Sequence, residues 1–109
     1  MKTQNAYLDD IRNPPPDREW ILLRSSKEAI EFVQCHGFPS YWSFDHDLGE
    51  DDTTMVFLNW LIDHDIENHG SVIPLDFKWN VHSSNPPGSK NIHGLLTSYM
   101  NHKKSCKNT

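Results

Sequence analysis

The stretch "YWSFDHDLG", residues 41–49, begins as a buried strand and ends in charge. Tyr41, Trp42 and Phe44 favour extended backbone, Pro39 precedes them and Gly49 follows, so Tyr41 to Asp45 is predicted to be a central strand. Two carboxylates and an imidazole, Asp45, His46 and Asp47, then crowd its carboxyl end. Like charges this close raise each other's pKa, so such a placement calls for a chemical reason.

Outward from this strand, the chain alternates short apolar runs with helical patterns. On the amino-terminal side, Ser25 and Glu28 have capping-box spacing, Ala29, Ile30 and Val33 share one helical face, and Gly37 marks the stop. "WILLR", residues 20–24, predicts a second strand, and "NAYL", residues 5–8, a first one that halts at Asp9 and Asp10. Between these two lies "IRNPPPDREW", whose consecutive prolines forbid a helix, so the usual crossover helix is expected to be missing or replaced by a loop. On the carboxyl-terminal side a helix is predicted from about Thr53 to Asn68, with Met55, Leu58, Leu61, Ile62 and Ile66 on its apolar stripe and Asp51 and Asp52 as caps. Phe77 to Val81 alternates as a fourth strand, "HSSNPPGS" reads as a loop, and Ile92, Leu95, Leu96, Tyr99 and Met100 fall on one face of a last helix. This alternation predicts an α/β sandwich around a mostly parallel sheet of about four strands.

With 109 residues the chain has room for one domain, assigned to 1–103, with 104–109 expected to fray. A formal net charge of −5 argues against a general binder of nucleic-acid backbone and leaves room for a small phosphorylated ligand. The start "MKTQNAYLDD" has no apolar signal region and no segment approaches the length of a membrane span, which predicts a cytoplasmic protein without membrane attachment. Cys35 is expected in the core and Cys106 as a free thiol of the tail.

Each strand end is polar. "DDIR" follows the first, "DHDLG" the third and "HSSN" the fourth. In open parallel sheets, ligands bind outside the carboxyl ends of the strands where strand order reverses. Asp9, Asp10, Arg12, Asp45, Asp47, His82, Ser83, Ser84 and Asn85 are therefore expected in one cleft. Asp9, Asp10 and Asp45 together suit a hard divalent cation, Mg²⁺ or Mn²⁺. Arg12 offers a planar fork for phosphate, His82 titrates near neutral pH as a general acid or base, and Ser83, Ser84 and Asn85 offer donors to anionic oxygens. Asp47 is a supporting residue, and Asp10 and Asp45 join His82 as catalytic candidates. His46 is expected to point away from its neighbours, while His64, Asp65, His69, His93 and His102 are placed on the surface without a role. Any one of these loops alone would be ordinary turn chemistry; their coincidence at three strand ends carries the reading.

The motifs "YLDDIRNP", "FDHDLG" and "VHSSNPPGSKNI", in this order, resemble the cyclic-phosphate processing receiver-like domain family, a compact relative of response-regulator receivers found in phages and bacteria. The resemblance runs from about Ala6 to Met100. It implies a receiver-like, flavodoxin-type three-layer sandwich and a role with phosphate esters, above all cyclic phosphates on nucleotides or RNA ends. By the same resemblance Asp9 and Asp10 match the acidic pair of a receiver, Asp45 its phosphoacceptor, and Asp47, Arg12, His82 and Asn85 the motif of the cyclic-phosphate group. A signalling receiver carries a lysine after a fifth strand, whereas here His82 and Ser83 follow the fourth and the nearest lysine is Lys90, which argues against phosphotransfer.

Three functions follow as expectations. The first is a phosphodiesterase acting on a cyclic phosphate. The second is a binding module that sequesters a cyclic nucleotide signal, an anti-defence role suited to a phage protein. The third is a degenerate receiver that serves as a protein-interaction unit.

Overall fold

The computed structural model describes residues 4–107, except for the side chains of Cys106 and Lys107. Seven elements follow one another: β1 (Asn5–Leu8), β2 (Ile21–Leu23), α1 (Ser26–His36), β3 (Tyr41–Phe44), α2 (Thr54–Glu67), β4 (Lys78–Val81) and α3 (Pro86–Lys107). The strands form one sheet in the order β2-β1-β3-β4, and every neighbouring pair is parallel. β1 therefore pairs with β2 in parallel even though no helix connects them.

Strand alternation divides the sheet into two unlike faces. In register, Ala6, Trp42 and Trp79 form one row across β1, β3 and β4, and Leu8, Phe44 and Val81 form another. These residues join one apolar core with Phe57, Leu58 and Leu61 of α2 and Ile92, Leu96 and Met100 of α3. The crossovers β2–α1–β3 and β3–α2–β4 run the same way along the sheet, so right-handedness puts α1 and α2 on the same face. α3 returns to that face because its apolar stripe has the same core to join.

The opposite face carries Leu22, Tyr7, Ser43 and Asn80 in one row. Here the proline segment supplies the outer layer of the sandwich. Trp20 meets Tyr7 edge-on at 5.4 Å and tilts against Tyr41 at 5.9 Å, and the Arg18 guanidinium lies over both the Trp20 and Tyr41 rings. Three prolines cannot form a helix, but aromatic rings carried on that loop still cover part of the sheet.

Local chemistry explains the element ends. Ser25 caps α1 by accepting from the Glu28 amide, and the Glu28 carboxylate reaches back to the Arg24 amide at 2.8 Å, so the capping box closes one residue further out than its usual form. Asp52 caps the wrong helix relative to the sequence expectation. Its carboxylate accepts from the Ser26 amide and the Ser26 hydroxyl at the start of α1, while Thr53 stands at the N-cap of α2 without a side-chain bond. The reason is the compact turn from Asp47 to Thr53, which presents Asp52 to α1.

Other expectations need correction. The buried face of α2 is Thr54, Phe57, Leu58, Leu61 and Asp65, rotated away from Ile66, which is 59% exposed. Asp65 is fully buried and Cys35 is exposed, the reverse of the sequence reading for both. α3 begins at Pro86, because prolines suit the first turn of a helix, where backbone amides need no helical partner. The helix continues through Lys107, past the point where fraying was expected, and the thiol of Cys106 lies outside the described side chains.

Candidate active site

One register step beyond the strands, the sheet delivers the site. Leu8, Phe44 and Val81 are neighbours, and the backbone ladder runs one residue further: the Asp45 amide donates to the Leu8 carbonyl, the His82 amide to that of Phe44, and the Asp9 amide to that of Leu23. Asp9, Asp45 and His82 thus emerge side by side at the carboxyl edge. Parallel pairing with matched strand ends is what brings residues more than seventy positions apart into contact, as with His82 and Asp9.

Asp9 is the anchor of the group. It is 1% exposed, and its Oδ1 accepts from the amides of Ile11 and Arg12 at 2.9 Å each, while Oδ2 meets His82 Nε2 at 2.9 Å. Burial opposes its ionisation, but those two amides and His82 outweigh that cost and hold its carboxyl below the usual value. An ionised carboxylate only accepts, so the Nε2 of His82 carries the proton toward it. The Nδ1 of His82 then accepts from the Ser43 hydroxyl at 2.7 Å, and Asn80 Nδ2 stands 3.4 Å behind Ser43. Tyr7 completes the seat, stacked on the imidazole at 4.4 Å and 6°. Its phenol is pushed up by burial and by the charge of Asp9.

The chain Ser43–His82–Asp9 has the residue types of a nucleophilic triad without its access. Ser43 is 3% exposed beneath the imidazole, so its hydroxyl orients His82 and meets no substrate. Both ring nitrogens of His82 are engaged, which leaves the imidazole a structural partner of Asp9.

Beside Asp9 stand two further carboxylates. Asp9, Asp10 and Asp45 each offer an oxygen within 4.8 Å of the others. Burial first, and then the charge of Asp9, raise the Asp45 carboxyl, although the Ser83 hydroxyl and the His46 amide bond to it. A cleft of about 300 Å³ opens over this trio, lined also by Arg12, Asp47, Gly49 and Ser84. Gly49 leaves space for Asp10: a Cβ there would lie 3.1 Å from Asp10 Oδ2, and its φ of +89° suits glycine. Arg12 is tied to the site through its Nη1, which donates to the His82 carbonyl at 2.9 Å.

The loop after β4 is built for support more than for ligand contact. Asn85 accepts from the Gly88 amide through Oδ1, capping α3, and donates through Nδ2 to Asp47 Oδ2 at 3.1 Å. Ser83 accepts from the Asn85 amide and bonds to Asp45, and Ser84 lines the cleft. Asp47, largely exposed, is held below its usual pKa by Asn85 and then by His46. All nine residues expected at the strand ends gather in this region, yet three of them, His82, Asn85 and Ser83, spend their polar atoms on other residues of the site.

Sequence reading missed several contributors. His46 lies against the first turn of α3 so closely that a Cβ on Gly88 would sit 2.4 Å from its Cγ. Arg24, read as the end of a strand, donates to the Asp9 and Arg12 carbonyls and to Asn13. Ser43 shares strand parity with Asp45, a signal that could have placed it below the site.

Comparison with known proteins agrees with this geometry. A family model described as the cyclic-phosphate processing receiver domain matches residues 4–98. No curated protein and no solved structure matches the chain. The parallel sheet, its acidic edge and the loop that supports it all fall within the matched span, and on that basis the chain belongs to the cyclic-phosphate processing receiver domain family.

Proposed function

We propose that this protein binds and hydrolyses a cyclic phosphate carried by a nucleotide, a cyclic oligonucleotide or an RNA end. The observation that carries the reading is the trio Asp9, Asp10 and Asp45, with oxygens within 4.8 Å of one another beside Arg12 in a cleft of about 300 Å³. That volume is at the small end of ligand pockets and suits a phosphate with part of its sugar. Family membership adds that cyclic-phosphate processing is the role the family is named for.

The donor set fits a hard divalent cation. Three carboxylates so close repel one another, and Mg²⁺ or Mn²⁺ takes all-oxygen ligands of this kind. Such a cation would neutralise charge on the phosphate and polarise its P–O bonds. Arg12, steadied by the His82 carbonyl, would pair with another phosphate oxygen. Asp10, the least buried of the trio, would take a proton from the attacking water and pass it to the leaving ring oxygen. Water adds to phosphorus as one ring P–O bond breaks, leaving a phosphomonoester and a free hydroxyl. Asp45 and Asp9 would hold the cation, and His82 would hold Asp9, a supporting role in place of the acid–base role expected from sequence.

Purified protein incubated with Mg²⁺, Mn²⁺ or EDTA against cyclic mononucleotides, cyclic di- and trinucleotides and 2′,3′-cyclic-phosphate RNA ends tests this directly. Conversion that stops in EDTA and in Asp45→Asn is the expected result. Conversion indifferent to both would overturn the carboxylate mechanism. Sequestration is the second reading, favoured because both His82 nitrogens are engaged and so unavailable to a substrate. It predicts stoichiometric binding with intact ligand recovered after denaturation.

A further inference from the structure

We infer that Arg24 is a positioning residue for the carboxylate trio, acting from the junction of β2 and α1 without lining the cleft. The inference rests on the reading of Asp9, Asp10 and Asp45 as a cation site.

The turn from Asp9 to Asn13 carries two of the three carboxylates and Arg12, yet it leads straight into Pro14, Pro15 and Pro16. A receiver-like fold with a helix at this crossover would hold the turn by helical hydrogen bonds; the prolines remove that support. Ile11 is 79% exposed, so apolar burial does not hold the turn either. Two grips remain. From the inside, Asp9 Oδ1 accepts the amides of Ile11 and Arg12. From the outside, the Arg24 guanidinium donates through Nη1 to the carbonyls of Asp9 at 3.1 Å and Arg12 at 2.6 Å, and through Nη2 to Asn13 Oδ1 at 3.0 Å. One planar fork thereby spans the whole turn, which a lysine ammonium cannot do with the same geometry.

Arg24 is itself anchored. Its amide donates to Glu28 Oε1 in the capping box of α1. Two residues on, Ser26 donates its amide and hydroxyl to Asp52, in the turn that presents Gly49 to the cleft. The β2–α1 junction therefore grips both loops between which the trio is assembled: Arg24 takes the side of Asp9, Asp10 and Arg12, and Ser26 takes the side of Asp45. Oxygens that must stay within 4.8 Å of one another against their own repulsion need such a bracket.

Calorimetric titration with Mn²⁺ alone, on the full chain, tests the assignment. Arg24→Ala should weaken Mn²⁺ affinity by about 10- to 100-fold, the range typical of residues that orient metal ligands. Arg24→Lys should remain weak, and added methylguanidinium should restore affinity to Arg24→Ala but not to Asp45→Asn, a rescue that a general loss of stability would not show. Wild-type affinity in Arg24→Ala would overturn the inference. Should the wild type itself take up no Mn²⁺, the cation reading fails, and Arg24 is judged by amide exchange in the metal-free protein. Faster exchange at Ile11 and Arg12 in Arg24→Ala, with Val33 unchanged, would support it; unchanged exchange would sink it. If Arg24→Ala does not fold, Asn13→Ala, in the exposed part of the turn, carries both measurements, with a smaller loss of affinity expected.

Discussion

Two buried aspartates, Asp65 near the end of α2 and Asp45 just past the end of β3, are treated in opposite ways. Asp65, about three turns along the helix from Thr54, is surrounded by donors: the Val72 and Ile73 amides bond Oδ1, and the Tyr99 hydroxyl and Lys103 ammonium bond Oδ2. Lys103 in turn donates to the carbonyls of Gly70 and Ile73, so the cluster is closed on itself. Burial works against the Asp65 charge, but Lys103, Tyr99 and the Ile73 amide prevail and hold its carboxyl below the usual value. Just past β3, Asp45 sits next to Asp9 and Asp10, and its carboxyl is pushed up. Among the described residues the nitrogen side chain that meets this trio is His82, whose Nε2 bonds Asp9 at 2.9 Å. Asp65, with a cation among its partners, ties helices together; Asp45, beside two further carboxylates, has the perturbed carboxyl that marks a candidate functional site.

Removing Asp65 is the strongest way to break that contrast. Asp65→Ala strands Lys103, whose side chain is 10% exposed, and should cost about 3–5 kcal/mol in urea unfolding, while Asp65→Leu with Lys103→Met should recover a good part of it. A loss below about 1 kcal/mol would mean that the cluster is ornamental.

The same residue sets an acid limb. Its folded pKa is depressed, so its contribution is complete above the unfolded value of about 4 and is lost as pH falls through the folded pKa. Wild-type stability should therefore decline over that acid range, and the decline should flatten in the Asp65→Leu, Lys103→Met pair. An unchanged acid slope would shift the effect to another carboxylate.

Gly88→Ala comes next in size, because its Cβ would press into the His46 ring and push α3 from the site, at about 1–3 kcal/mol by thermal melting. Asp52→Ala should cost about 1 kcal/mol through the lost cap on α1, while also loosening the turn beside Asp45. The smallest change sharpens the comparison most. Asp45→Asn removes one of three repelling carboxylates and should leave stability unchanged or raise it by about 0.5–1 kcal/mol while ending ligand conversion, as expected of a site kept at a cost in stability. A clear loss of stability would make Asp45 structural after all.

Much of the fold was legible because its signals are local. Aromatic enrichment in "YWSF", the capping pair Ser25 and Glu28 and the prolines of the first crossover each act within a few residues. The identities of the strand-end residues were equally plain, and matched parallel strands bring them together without further instruction. Asp65 was misread because period and hydropathy place an aspartate outside, and nothing near it announces Tyr99 and Lys103, 34 and 38 residues away. The same holds for Asp52, whose partner Ser26 is 26 residues back.

What the sequence determined by itself was therefore the order of the elements, the polarity of their ends and the absence of one crossover helix. Tertiary structure decided which polar atoms are already taken. His82 is committed on both nitrogens to partners 39 and 73 residues away, Asn85 to a helix cap and to Asp47, and Arg24 to a turn on another strand. The physical reason is that propensity and periodicity act between neighbours along the chain, whereas a hydrogen bond or a charge acts between neighbours in space, and only the packed sheet says which those are.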